Sequence, residues 1–113
     1  MRARAGSRMY VIFSVEQAVE EFIKDVLQGI GEVERLFNFA RALKTADLYE
    51  RAQEVIDQVL LRVPGHEDAL ELRASTWVLQ KRYTEAVALA LHLNALNPRN
   101  WFARSTLASA YEG

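Results

Sequence analysis

Side chains that could catalyse a reaction or bind a metal are few in this sequence. It contains two histidines, His66 and His92, and no cysteine. A structural zinc site needs several thiolate or imidazole ligands at short spacing, and a thiol nucleophile needs a cysteine. The sequence offers neither arrangement, so we interpret both histidines as solvated or helix-capping side chains.

The other reactive residue types also lack a catalytic context. Carboxylates such as those of EVE at 32–34 are typical of solvated helix faces and first helical turns. Ser75, Ser105 and Ser109 do not stand in the Gly-x-Ser-x-Gly motif of a nucleophile elbow. The GIG sequence at 29–31 lacks the lysine of a P-loop. The sequence therefore predicts a protein that is not an enzyme and uses no cofactor or metal.

The charge balance gives no reason to expect a nucleic-acid partner. The 14 basic and 15 acidic residues give a net charge of −1, so no overall positive field attracts phosphates. No apolar run approaches the ~18 residues that a transmembrane helix needs. The lack of cysteine fits a reducing compartment. We therefore expect a cytoplasmic protein without a membrane span.

Residues 1–13 differ from the rest of the chain. Arg2, Arg4 and Arg8 precede an apolar stretch of five residues, shorter than the ~7–15 residues of a signal-peptide core. We interpret the segment as an N-terminal tail that is either flexible or upstream of a natural start at Met9. Three arginines are fewer than stable electrostatic anchoring needs, although such an anchor is the alternative.

In residues 14–113, apolar residues recur mostly at the spacing of amphipathic helices. Residues that begin or end helices separate the apolar stripes. The pattern predicts a single all-α domain of about six helices joined by tight turns. The boundary signals are Ser14 with Gln17 and Asp47 with Glu50 as capping boxes, Gly29 and Gly31 before the second helix, Pro64-Gly65 and Asn97-Pro98 at helix ends, and Asn100 as the N-cap of a helix over 101–111.

The only two prolines of the chain, Pro64 and Pro98, define an interval at which other residue types also recur. Recurrence of several residue types at one fixed interval indicates a repeat array. Alanines let two helices cross closely, large apolar residues fill the space beside the crossing, and proline ends the second helix. The columns are Leu36 with Leu70, Ala40 with Ala74 and Ala108, Leu43 with Trp77 and Tyr111, Tyr49 with Tyr83, Ala52 with Ala86, and Val59 with Leu93.

This register resembles that of the tetratricopeptide repeat (TPR) family, whose unit is a helix–turn–helix of the same length as the interval between the two prolines. Repeat 1 would span residues 33–66 and repeat 2 residues 67–100, with residues 101–113 as the first helix of a third repeat or a cap. Residues 14–30 would hold an N-terminal helix similar to the second helix of a preceding repeat, because Ala18 falls in an alanine column. The resemblance implies antiparallel helix pairs stacked as a short α-solenoid.

Four residues depart from the family pattern. Asp47 and Lys81 stand in the turn column where the family often has glycine. Arg73 and Arg104 stand in columns that are otherwise apolar. We expect Arg104 to mark the end of the array, where less surface is covered.

The resemblance also implies a concave groove lined by the first helix of each repeat. Small serines there would leave room for a ligand backbone, and two phenylalanines could be apolar anchors. The alternative is that these residues merely face water or an adjacent helix. The predicted groove residues are Phe37, Arg41, Lys44, Glu71, Ser75, Val78, Phe102, Ser105 and Ser109.

Two functions follow as hypotheses. The first is a protein–protein interaction module, an adaptor, scaffold or chaperone-like domain, that binds a helix or an extended peptide of another protein in the groove. The clamp with which some TPR domains hold C-terminal carboxylates is not expected, because only Arg41 keeps a suitable charge in the matching columns. The alternative is a structural module that forms homodimers or larger homo-oligomers through its terminal helix, 101–113.

Overall fold

The computed structural model describes residues 14–112, with the side chains of 101 and 109–112 excepted. The predicted tail, residues 1–13, lies outside the described residues. The fold is all-α, as predicted, and the described residues contain no strand. Its six helices are α1 (Val15–Leu27), α2 (Glu32–Thr45), α3 (Tyr49–Arg62), α4 (Glu67–Leu79), α5 (Tyr83–Leu96) and α6 (Trp101–Glu112).

Each helix packs against its neighbours in the chain, which gives the layered arrangement of a short helical solenoid. Helix α2 also contacts α4, and α4 contacts α6. Helices α3 and α5, both described in full, make no such contact with each other. In a curved array, the row whose helices touch is the inner row, so α2, α4 and α6 form the inner face.

The helix boundaries confirm the interval that separates Pro64 from Pro98. Helices α3 and α5 have the same length, and their first residues, Tyr49 and Tyr83, are separated by this interval. The same interval separates the first residues of α4 and α6. Helix α1 begins one interval before α3, at Val15, so it occupies the place of the second helix in a preceding unit.

The turn inside each repeat passes through a residue with left-handed backbone. Asp47 has φ 64° and Lys81 has φ 63°. The next residue in each turn donates its N–H to the carbonyl of Leu43 or Trp77, at 2.9 and 2.8 Å. These bonds define the same Schellman ending on α2 and α4. A side chain with a Cβ is disfavoured in this conformation, so a glycine would fit at either position without strain.

The predicted capping box of Asp47 with Glu50 is wrong. Helix α3 takes Leu48 as its N-cap, and no side chain caps it. Asp47 instead belongs to the end of α2, and its Oδ1 accepts a bond from the Tyr49 hydroxyl at 2.9 Å. Aspartate favours both helix starts and left-handed turns, and here the second preference applies.

The other boundary predictions are confirmed. Ser14 and Gln17 form a capping box on α1, with bonds of 3.3 and 3.0 Å. Asn100 caps α6, because its Oδ1 accepts from the backbone N–H of Ala103 at 2.8 Å. Helices α3 and α5 end before Pro64 and Pro98, since a residue that precedes proline is disfavoured in the α region.

Among the described residues, buried apolar side chains form three clusters, and each cluster draws on three consecutive helices. The alanine columns lie at the crossings, where Ala40, Ala52 and Ala74 are fully buried, so the helices approach closely. Large side chains fill the space beside them. The clusters are Ala18, Leu43 and Ala52; Ala40, Ile56, Val59, Ala69 and Leu72; and Leu70, Leu93 and Ala103.

Arg73 is accommodated between α3 and α4 although its column is otherwise apolar. Its guanidinium forms an ion pair with Asp57 and lies 5.4 Å from the ring centre of Trp77. A guanidinium is weakly hydrated and stacks well on aromatic rings, so partial burial is tolerated here. Arg104 is exposed on α6. In residues 14–112, no helix has the length and apolar character needed to cross a membrane.

Candidate functional site

The inner face of the solenoid holds the predicted groove residues. Eight of the nine line two adjoining cavities, which share Ser75 and Phe102. The side chain of Ser109 lies outside the described residues. Helix α2 supplies Phe37, Arg41 and Lys44, helix α4 supplies Glu71, Ser75 and Val78, and helix α6 supplies Phe102 and Ser105.

The first cavity, named the charged cavity, has a volume of about 340 Å³. It lies between α2, α4 and α6 and has a basic and an acidic side. Arg41 is on α2, while Asp68 and Glu71 are on α4. Phe37 and Phe102 complete it with apolar surface. The cavity can therefore hold a polar segment of a ligand next to two aromatic rings.

Phe37 is held in place by two neighbours. The His66 ring stacks on it with centroids 5.5 Å apart, and the Arg41 guanidinium lies 5.4 Å from its ring centre. Arg41 also donates a hydrogen bond to Oδ1 of Asn38 at 3.3 Å. An aromatic anchor that is already positioned loses little conformational entropy when a ligand binds.

His66 is a capping histidine, one of the two interpretations drawn from the sequence. Its Nδ1 accepts a hydrogen bond from the backbone N–H of Ala69 at 3.1 Å, at the start of α4. This bond fixes the ring beside Phe37. Sequence spacing alone did not reveal the stacking of His66 on Phe37. His66 lies at the end of repeat 1, whereas Phe37 lies on the first helix of that repeat. Among the described residues, no group of three or more His, Cys, Asp or Glu side chains could hold a metal ion.

The second cavity, named the apolar cavity, has a volume of about 470 Å³. Helices α4, α5 and α6 form most of its wall, and Lys44 of α2 lies at its edge. Sequence reasoning missed the contribution of α5, which includes Tyr83 and Val87. In the sequence, Tyr83 was recognised only because it recurs with Tyr49 at the repeat interval. Tyr49 gave no indication of a cavity, because its hydroxyl donates to Asp47 and it does not line this cavity. The apolar wall consists of Val78, Leu79, Tyr83, Ala86, Val87 and Phe102.

Lys44 lines the apolar cavity and bonds to Ser75, which both cavities share. Its Nζ donates a hydrogen bond to Oγ of Ser75 at 3.2 Å, and that hydroxyl donates to the carbonyl of Leu72 at 3.0 Å. Burial lowers the pKa of Lys44 below its ordinary value, because the charged ammonium loses water. Among the described side chains, no carboxylate forms an ion pair with it.

Glu67 and Glu71 of α4 are engaged in internal hydrogen bonds. Asn100 donates through Nδ2 to Glu67 at 2.6 Å and to Glu71 at 2.8 Å. Asn97 also donates to Glu67, at 3.2 Å. Glu71, predicted as a groove residue, thus also fixes α6 against α4. Asp68, the other acid of the charged cavity, is exposed, so the groove presents acidic as well as basic charge.

No protein-family model matches the sequence, and a search of curated proteins finds no similar sequence. The TPR resemblance therefore depends on the residue columns, and the case for a function depends on the groove itself.

Proposed function

We propose that this chain is a TPR-like interaction module that binds another protein along the inner face of α2, α4 and α6. The observation that carries this proposal is the continuous groove made by the two cavities. Such a groove suits a helix or an extended peptide, because both place side chains at regular intervals along a line. A cytoplasmic location is part of the proposal, since the sequence has no cysteine.

The groove has the features of a binding surface rather than of ordinary solvated helices. Phe37 is positioned by His66 and Arg41, and Phe102 lies where the two cavities meet. Large apolar side chains in the apolar cavity, such as Tyr83, remain about half exposed. Aromatic residues, phenylalanine included, and arginine are enriched in the cores of protein interfaces.

The test is a double variant, Phe37→Ala with Arg41→Glu. We expect it to weaken binding of peptides selected on the wild-type chain from a displayed random 12-residue library. Truncation of a hot-spot residue costs about 2 kcal/mol or more, which corresponds to roughly thirtyfold in Kd. Fluorescence polarisation of labelled peptides measures this change.

The matched control is Arg51→Glu with Leu61→Ala, two exposed positions on α3. It makes the same kind of charge reversal and apolar truncation outside the groove, so its Kd should stay at the wild-type value. Circular dichroism establishes that both double variants are folded. Unchanged peptide binding by the folded groove variant would reject the proposal.

Self-association is a second candidate, and an exposed apolar stripe on α1 supports it. The side chains of Trp101 and Tyr111 lie outside the described residues, and Phe102 of the same helix lines the groove. The side chains of the α1 stripe are 39–50% exposed. Such a stripe is typical of an interaction site. It consists of Val15, Val19, Ile23 and Val26.

Light scattering over a wide concentration range tests self-association. If α1 mediates it, the mass rises above the 12.9 kDa of one chain, and Val19→Glu with Ile23→Glu returns it to that value. A mass that stays at 12.9 kDa at high concentration rejects self-association and leaves the groove proposal untouched.

A further inference from the structure

Lys44 differs from the three cations that form ion pairs with carboxylates among the described residues. Arg62 pairs with Glu32, Arg73 with Asp57 and Arg82 with Glu85. Lys44 is half-buried in the groove, and its one described polar contact is the neutral hydroxyl of Ser75. Among the described residues, this partly dehydrated ammonium group therefore has no carboxylate within ion-pair distance.

An ammonium group has three N–H donors, and Ser75 occupies one of them. Partial removal of water makes an opposite charge at this place more favourable than at an exposed lysine, because the effective dielectric constant is lower. The Ser75 hydroxyl donates to the Leu72 carbonyl, so an oxygen lone pair faces Lys44. The lysine head group is thus held beside the apolar cavity and has donors left for an anion.

The apolar cavity is the second feature that a ligand at Lys44 would have to match. Its wall consists mostly of aliphatic and aromatic side chains, and its volume of about 470 Å³ is that of a small ligand pocket. A carboxylate alone would leave this apolar surface in contact with water. A ligand that fits both features carries a carboxylate and, close to it, a large apolar group.

We propose that Lys44 recognises an aspartate or glutamate side chain of a partner peptide, and that the apolar cavity takes a large apolar side chain near that acid in the partner sequence. This inference rests on the proposed function. A peptide suits the site better than a small carboxylate, because Ser75 and Phe102 connect the apolar cavity to the charged cavity. The ligand surface is therefore longer than the apolar cavity.

The experiment selects peptides on the wild-type chain and on Lys44→Met from the displayed random 12-residue library. The C-terminus of each peptide is fused to its carrier, so that only Asp and Glu side chains supply carboxylates. We expect the wild-type chain to enrich an acid near a large apolar residue. On Lys44→Met the apolar preference should remain and the preference for the acid should disappear.

A double-mutant cycle measures the contact directly. The best acidic peptide and its Glu→Gln or Asp→Asn form are titrated against wild type, Lys44→Met and Lys44→Arg. A hydrogen bond between charged groups contributes about 1.5–3 kcal/mol, so loss of Lys44 should weaken the acidic peptide about tenfold or more. The amide form of the peptide should bind wild type and Lys44→Met with the same Kd. Lys44→Arg should retain binding of the acidic peptide. The control Lys81→Met, at an exposed lysine, should bind the acidic peptide with the wild-type Kd.

The outcomes separate this inference from the proposed function. If the wild-type chain enriches no peptide, both fail. If it enriches peptides without an acid, only the role of Lys44 is overturned. An acid preference that survives Lys44→Met and is lost with Arg41→Met assigns the carboxylate to Arg41 and overturns the inference. Octanoate that binds as tightly as the selected peptide shows a small-carboxylate site and overturns the peptide assignment.

Discussion

Replacement of Ile56 by alanine is expected to lower the free energy of unfolding by about 3–4 kcal/mol, within the range found for buried Ile→Ala changes. Ile56 lies on α3 and is 0% exposed. It belongs to the cluster that joins α2, α3 and α4, where it packs with residues such as Ala40 and Leu72. Its loss leaves a cavity at the junction of the two repeats, because the surrounding helices relax only partly.

Urea denaturation followed by circular dichroism measures this loss. The matched control is Leu61→Ala on the same helix, where the side chain is 72% exposed. This change should alter stability by less than about 0.5 kcal/mol, as is usual for surface substitutions. A loss below about 1 kcal/mol for Ile56→Ala, less than half of the usual cost of such a change, would show that the junction is not tightly packed and would contradict the core described above.

The helices and their register could be predicted from the sequence because the same physical requirement occurs in each repeat. Ala52 and Ala86 are buried where helices cross, and a larger residue at either place would push the helices apart. Pro64 and Pro98 follow the ends of α3 and α5. A single pair of like residues at one interval has little meaning, whereas several pairs at the same interval define the repeat.

The turn at Asp47 could not be assigned from local signals, because aspartate is favoured both at helix starts and in left-handed turns. The repeat offered a clue in Lys81, which stands in the same column. Lysine is a poor N-cap, so a position shared by Asp and Lys is better explained by the backbone than by the side chain. The φ values of 64° and 63° show that the backbone is the shared feature.

The groove was predicted only for the first helices of the repeats. The wall from α5, with Tyr83 and Val87, depends on how far α5 stands from α6, and no local pattern gives that distance. That no described carboxylate lies within ion-pair distance of Lys44 is also a three-dimensional property. Glu71 lies on the same inner face, yet its bond to Asn100 keeps it with α6.

Asn100 connects α6 to the rest of the solenoid through both ends of its amide. The oxygen accepts from the Ala103 amide at 2.8 Å and caps α6. The nitrogen donates to Glu67 and Glu71 on α4. The side chain is buried, so water replaces these bonds poorly when the amide is removed.

The variant Asn100→Ala is therefore expected to lower the free energy of unfolding by about 2–3 kcal/mol, from the lost helix cap and the lost bonds to carboxylates. Asn100→Ser keeps a cap acceptor and should recover roughly half of that loss. Urea denaturation measures both values, and hydrogen exchange should show the Ala103 amide losing protection. The control is Arg99→Ala, at an exposed neighbouring position, which should leave stability unchanged within about 0.5 kcal/mol. Equal stability of Asn100→Ala and Arg99→Ala would mean that α6 is held by its apolar contacts alone.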